Sequence, residues 1–336
     1  MLTLTLEPTN ACIRRCRHCC VNPADPPCSL PVELAASLLE QARAVGIREV
    51  YLTGGEVALY QDLEELLALI ATAGFTFTLV TSGWRFRERL LPALLRPEVT
   101  EYLKGVCFSL DGARAGTHDA LRGEGSFDEV VEALGLCVLK GLPRVLKSVI
   151  TRLNEGELTE LALLGAMWGV QEHNFILPQP TPRLLREGLL PEPEELLKLA
   201  AWVRHSLART VRGHIRVEGW LEPEESLVPC PAFTNLAVDS SGRQVLCCNY
   251  LHLAEEENLP SHLGREYVAH LMQVTLKEGL RRQYHLLAEL MSARLAGDTP
   301  AGLGRCLCYW CLDFFGKLAW LEDFPHSAWR INRQAT

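Results

Sequence analysis

Six short apolar runs, each followed by a helical pattern, occupy roughly the first 180 of the 336 residues and leave few ways to fold this chain. The runs Leu2 to Leu6, Glu49 to Thr53, Phe75 to Thr81, Val106 to Leu110, Arg144 to Thr151 and Glu172 to Leu177 predict strands. Helix patterns lie near 31–45, 61–73, 86–95, 126–140 and 155–168, with Pro31 suited to a first turn and Gly46, Gly74 and Gly141 to C-terminal caps. Strands alternating with helices predict a parallel sheet. Polar motifs end these strands: a cysteine-rich loop after the first, then Thr53-Gly54-Gly55-Glu56, Thr81-Ser82-Gly83 and Ser109-Leu110-Asp111-Gly112. A barrel gathers such ends on one rim and an open doubly wound sheet gathers them on one edge, and in both the functional site is built there.

The first loop carries Cys12, Cys16 and Cys19 in C-x3-C-x2-C spacing. Three thiolates can hold three corners of an iron–sulfur cube, which ordinarily takes four, leaving one iron for a molecule that binds and reacts. Zinc is the alternative, although its usual paired C-x2-C units match this uneven spacing badly. The chain has 13 cysteines and no export signal, so metal binding is the better reading than a disulfide scaffold. A second constellation comprises Cys230, a strand Leu236 to Val238, the turn Asp239 to Gly242, a returning strand, Cys247 and Cys248, a helical stretch, then Cys306, Cys308 and Cys311. Between the two, Pro178, Pro180, Pro182, Pro191 and Pro193 read as a linker ahead of an amphipathic helix over 194–210.

The cysteine loop resembles the signature of the radical S-adenosylmethionine (SAM) superfamily, and Gly54-Gly55-Glu56 resembles that family's motif for the methionine amino group. The likeness covers about residues 1–180. It implies an α/β fold, a partial (β/α)6 TIM-like barrel, with a 4Fe-4S cluster on Cys12, Cys16 and Cys19 and SAM chelated to the open iron. His18 fills a position where the family usually has an aromatic ring, and Val57 stands where it often has proline. Gly54, Gly55, Glu56, His18, Ser82, Ser109, Asp111 and Arg122 are the cofactor-binding candidates. Of these, Ser109 and Asp111 are suited to ribose hydroxyls, and Arg122, in His118-Asp119-Ala120-Leu121-Arg122-Gly123, to a carboxylate. Gly242 to Cys247 resembles the opening of the SPASM region. With only six cysteines after residue 220, the shorter single-cluster Twitch version fits better. This assigns an auxiliary 4Fe-4S cluster to Cys230, Cys247, Cys308 and Cys311, with Cys306 and Cys248 as rivals and zinc as the alternative metal. The resulting division is a barrel over 1–180, a linker and bridging helix over 181–225, an auxiliary α+β domain over 226–320 and a tail over 321–336.

The resemblance implies reductive SAM cleavage to a 5′-deoxyadenosyl radical that takes hydrogen from a peptide or protein, with the auxiliary cluster accepting an electron. The alternatives are dehydrogenation of a small metabolite such as an amino sugar, and a non-catalytic electron carrier. A flavodoxin- or ferredoxin-like donor is implied, and Arg14, Arg15 and Arg17 on the cluster loop suit an acidic partner. A net charge of −8 argues against nucleic-acid binding, and no apolar run is long enough for a membrane span, so a cytoplasmic location is expected. Cys107 and Cys137 read as core residues, Cys20 and Cys28 as incidental neighbours of the first cluster, and His173, Asn174, Gln179 and Glu218 as ordinary polar residues able to face a cavity.

Overall fold

Side-chain alternation along the strands accounts for the architecture. In the computed structural model, which describes residues 2–19, 26–211, 213–220, 230–247, 266–296 and 306–330, the expected strands form β1 (Thr3–Leu6), β2 (Glu49–Leu52), β3 (Thr76–Thr81), β4 (Leu103–Ser109), β5 (Arg144–Val149) and β6 (Glu172–Ile176). Leu4, Leu6, Val50, Leu52, Phe77, Leu79, Val106, Phe108, Leu146 and Phe175 point to one face and have no accessible surface. The helices cover that face, among them Val32–Ala44, Leu63–Thr72, Ser126–Lys140 and Leu158–Met167. Thr5, Tyr51, Thr78, Cys107, Lys147 and Asn174 take the alternate positions and line the concave face. Burying only one face under helices while keeping polar residues on the other gives a curved, half-open barrel with a lumen.

Among the described residues the sheet has ten strands in the order β10-β9-β8-β1-β2-β3-β4-β5-β6-β7, and β1 through β7 are all parallel. Two parts of this order differ from the sequence expectation. The stretch expected as linker contains β7 (His214–Glu218), hydrogen-bonded to β6, so the parallel sheet continues beyond its sixth strand. Its prolines start helices: Pro182 opens Pro182–Arg186, with Thr181 as N-cap, and Pro193 opens Pro193–Trp202. Proline at a first helical turn gives up only an N–H that has no intrahelical partner. The C-terminal hairpin, β8 (Asn235–Val238) with β9 (Arg243–Val245), is not a separate layer. β8 pairs parallel to β1, and β10 (Tyr267–His270) completes that edge. The hairpin turn forms as expected, with Asp239 accepting from the Ser241 and Arg243 amides and Gly242 at φ +83°.

The described part of the expected tail, up to residue 330, is also docked, since Trp329 is 1% exposed and its indole N–H donates to the Pro191 carbonyl at 3.1 Å. The helix expected over 86–95 is broken into a wide turn Phe86–Leu90 and a short helix Leu91–Leu94, after Arg85 at φ +46°.

Two buried histidines carry a stability prediction. His173 stacks on Phe175 and pairs through Nε2 with the Ser148 hydroxyl at 2.8 Å, while His118 Nδ1 accepts from the Asp111 amide at 3.1 Å. Burial lowers His173 to about 3 and His118 to about 4. Both folded values lie below the ordinary 6.5, so as the pH falls through that window the unfolded chain binds protons that the folded chain refuses, and stability is lost. Going from pH ~7 to pH ~5.5, each histidine removes about 1.2 kcal/mol. Urea unfolding at the two pH values should register the pair as a loss of roughly 2.5 kcal/mol, and equal midpoints would contradict it.

Candidate active site

The cysteine loop leaves the rim end of β1 and is locked against the turn that follows β2. The Gly55 amide donates to Thr9 O at 2.9 Å and the Glu56 amide to Ala11 O at 2.8 Å, so the Gly-Gly-Glu turn grips the residues leading into Cys12. A Cβ on Gly55 would stand 2.1 Å from Ala11 O, and one on Gly54, which sits at φ +116°, would stand 2.7 Å from Thr9 O. Both glycines are required by close backbone approach.

Glu56 is 1% exposed, and its carboxylate accepts four bonds: from the Ala58 amide, the Thr81 hydroxyl, and the Ser82 amide and hydroxyl. It therefore ties the turn after β2 to the end of β3. Burial raises its pKa, and the Ser82 and Thr81 hydrogen bonds oppose that shift. In Glu56→Gln one acceptor oxygen becomes a donor facing donors, which should lower stability by about 1–3 kcal/mol in urea unfolding. A change below about 0.5 kcal/mol would mean that these bonds contribute nothing net.

Behind the loop lies a buried polar knot. Asp111 has no accessible surface, and its carboxylate is held by Arg122 Nε, by His18 Nε2 at 3.2 Å and by the Val149 amide at 2.7 Å. Burial opposes the Asp111 charge, but Arg122 and His18 hold its carboxyl below the usual range. Burial lowers His18 to about 4, so the ring is neutral. With Nε2 facing a carboxylate, Nδ1 is left as a buried acceptor without a hydrogen bond. Arg122, expected to pair with a carboxylate, is half-buried, pairs with that of Asp111 and directs Nη1 to Cys16 Sγ at 3.8 Å. Asp111, expected near ribose, is occupied by these partners. Ser82 and Ser109 remain half-buried at the rim ends of β3 and β4.

Cys16 is buried, Cys12 half-buried and Cys19 exposed. Burial raises the Cys12 thiol, and the Arg14 amide at 3.4 Å opposes this. Among the described residues no three His, Cys, Asp or Glu side chains close around a single point as a mononuclear ion requires. A cubane instead offers each thiolate its own corner iron. Three thiols on one loop, a neighbouring guanidinium and the orphaned His18 Nδ1 beside them fit a cluster carrying a polar ligand.

In the lumen, sequence reasoning missed Lys147 and Tyr51. The Lys147 ammonium lies 3.1 Å from Glu218 and over the Tyr51 ring at 5.3 Å, and its neighbour in register, Asn174, keeps a buried Oδ1 with no hydrogen bond. The available signal was a lysine within an apolar strand run, at a concave-face position. His173 points to the helix side, Gln179 Oε1 is buried without a partner, and Cys137 is a core residue as expected, whereas Cys107, also expected in the core, is buried on the concave face beside Tyr51 and Lys147.

The C-terminal thiols gather where β7 ends. Cys308 and Cys311 lie on the helix Leu307–Phe314 and not on a loop. A Cβ on Gly219, just after β7, would touch Cys308 Sγ at 3.5 Å, and Cys306 bridges Trp220. Burial pushes the Cys308 thiol up, and Cys230, Cys311 and Cys306 push it further. Cys306, the expected rival ligand, thus stands with Cys230 and Cys311 beside Cys308. Cys247 lies two residues past β9, half-buried, while Cys20 and Cys248 lie outside the described residues. Arg294 stacks on Trp310 at 4.9 Å beside this group.

Comparison with known proteins agrees with this geometry. Over 170 residues the chain is 32% identical to mycofactocin maturase MftC of Mycobacterium tuberculosis, covering 50% of this chain and 42% of that protein. Over 212 residues it is 31% identical to PqqA peptide cyclase of Xanthomonas campestris, covering 58% and 52%. The chain thus spans about half the length of the curated relatives it matches. Streptococcus suis SuiB bound to S-adenosylmethionine shares the fold with a TM-score of 0.71 at 17% identity, over 91% of this chain and 71% of that one. SuiB has also been solved bound to its precursor peptide SuiA, with a TM-score of 0.60 over 84% of this chain and 66% of that one at 16% identity. Residues 6–164, from the end of β1 into the helix after β5, match the family model of the radical SAM superfamily.

Proposed function

We propose that this protein is a radical SAM enzyme that oxidises a peptide or protein substrate held in the barrel lumen, between two sets of thiols. The observation that carries this reading is the position of Cys308 against Gly219, next to the lumen residue Glu218. The Cys12, Cys16 and Cys19 loop follows β1, and Cys308 lies against the residue that follows β7, so both sets stand at strand ends of one parallel sheet. The maturase and peptide cyclase relatives, and the peptide bound by SuiB, support a peptide over an amino sugar.

Cys12, Cys16 and Cys19 would hold the 4Fe-4S cluster, while Gly54 and Gly55 would offer backbone carbonyls to the methionine ammonium of SAM. Bound together, the cluster and SAM supply one-electron cleavage of the SAM carbon–sulfur bond and, through it, hydrogen abstraction from carbon. Glu56 holds Ser82 at the rim, and Ser82, Ser109 and His18 Nδ1 remain to meet the nucleoside. Lys147 and Tyr51, both pushed to higher pKa, stay protonated and act as hydrogen-bond donors in the lumen. For Lys147 burial works against the charge, and Tyr51 and Glu218 outweigh it. For Tyr51 burial itself is the main cause. Cys230, Cys308 and Cys311, with Cys247 or its rival Cys306, would hold the auxiliary cluster that accepts an electron.

Arg14 and Arg17 pair with Glu129 and Glu187, whereas Arg15 is exposed and bonds only backbone carbonyls, in keeping with docking of an acidic flavodoxin- or ferredoxin-like donor. No helix among the described residues is long and apolar enough to cross a membrane, in keeping with work in the cytoplasm.

The test is anaerobic turnover with SAM, dithionite and a pool of deuterated peptides. Deuterium appearing in 5′-deoxyadenosine supports the reading. Transfer from deuterated amino sugars alone moves the assignment to metabolite dehydrogenation, and no 5′-deoxyadenosine under any condition leaves an electron carrier.

A further inference from the structure

We propose that Arg122 is a positioning residue for the first cluster: fixed by Asp111, it directs a guanidinium N–H at the Cys16 sulfur and raises the potential at which that cluster takes up an electron. The inference rests on the reading of Cys12, Cys16 and Cys19 as cluster ligands. Arg122 ends the helix Ala115–Arg122, and the backbone there also holds the loop, because the Arg17 amide donates to Leu121 O at 2.9 Å. Its side chain is 12% exposed and two of its nitrogens are committed: Nε to Asp111 Oδ2, and Nη1 to Cys16 Sγ at 3.8 Å. Asp111 cannot swing away, because His18 and the Val149 amide hold the same carboxylate and the Asn154 amide holds its carbonyl at 2.7 Å. A rigid acid therefore aims a rigid base at one ligand sulfur.

The potentials of iron–sulfur clusters are set by net charge, hydrogen bonds to sulfur and solvent exposure. The reduced form carries one more negative charge than the oxidised form. A cation and an N–H donor fixed beside a ligand sulfur stabilise the reduced form more, and do so strongly where water is excluded. Asp111 offsets part of that charge, but it holds the guanidinium at Nε, while Nη1 is the nitrogen that faces the sulfur. Uptake of the electron from dithionite moves no proton here, since Arg122 stays charged throughout.

The experiment is an EPR-monitored redox titration of the reconstituted cluster without SAM, in wild type, Arg122→Gln and Arg122→Lys, with SAM affinity measured separately. Arg122→Gln should shift the midpoint to more negative potential, and Arg122→Lys, which keeps the charge but cannot bridge Asp111 and Cys16, should fall between it and wild type. Should the glutamine variant fail to fold, the lysine variant still carries the test through its smaller shift of the same sign. An unchanged midpoint overturns the proposal. An unchanged midpoint with weakened SAM binding does so too and assigns the guanidinium to the methionine carboxylate instead. A wild-type protein that takes up no iron on this loop overturns the cluster reading itself, and iron analysis reveals this before any potential is measured.

Discussion

Replacing Cys12, Cys16 and Cys19 together with alanine halves the iron and sulfide taken up in anaerobic reconstitution, from about eight of each per chain to about four, and abolishes 5′-deoxyadenosine formation. The fold should survive the change. The loop is held by backbone bonds that involve no thiol: Gly55 to Thr9, Glu56 to Ala11 and Arg17 to Leu121. Far-ultraviolet circular dichroism should therefore match wild type while iron drops. The iron that remains reports the C-terminal group. Cys308→Ser should remove most of it, because Cys230, Cys306 and Cys311 are all neighbours of Cys308. A wild-type value near four that vanishes in the triple variant would leave zinc or nothing on the C-terminal cysteines. Zinc analysis separates those two, and either result removes the electron-accepting role.

The parts of this molecule that were legible in the sequence are those governed by local spacing. Each of the six early strands is an apolar run bounded by turn residues, and each appears within a few positions of its expected place. The rim motifs were legible because they end strands, and a parallel sheet gathers strand ends whatever its closure. β7 was hidden because His214-Ile215-Arg216-Val217-Glu218 carries charge at alternate positions, and those side chains lie on the concave face. Without the sheet beside it, that run looks like an exposed connection. Cys308 and Cys311 illustrate a different ambiguity, since C-x2-C spacing suits a metal loop and one face of a helix equally. The Asp111, His18 and Arg122 knot and the Lys147–Glu218 pair join residues far apart in sequence, and only the closing of the sheet brings them together. Asp111 and Arg122 were each found as polar residues at the rim. Their mutual pairing, which turns both toward the cluster loop, depends on the path of the helix between them.

The second large effect belongs to Gly55→Ala, which should weaken SAM binding by at least about tenfold and destabilise the protein by about 1–3 kcal/mol or more, even though one methyl group is all that is added. Its Cβ would lie 2.1 Å from Ala11 O and 2.6 Å from both Ala11 C and Asn10 O. All three are backbone atoms, so no side-chain rotation can relieve the contact. Either the turn after β2 moves or the residues entering Cys12 move, and the bonds from Gly55 to Thr9 and from Glu56 to Ala11 break in both cases. Movement of the turn displaces the carbonyls proposed for the methionine ammonium, while movement of the loop displaces Cys12, the first of the proposed cluster ligands. Gly46→Ala provides the contrast, because that glycine has nothing within 4 Å of an added Cβ, and at φ +87° it should lose only stability. Isothermal titration of SAM onto the reconstituted variants, with urea unfolding alongside, separates the two. If Gly55→Ala bound SAM as wild type does, the turn would be structural only, and the ammonium would have to be held elsewhere on the rim.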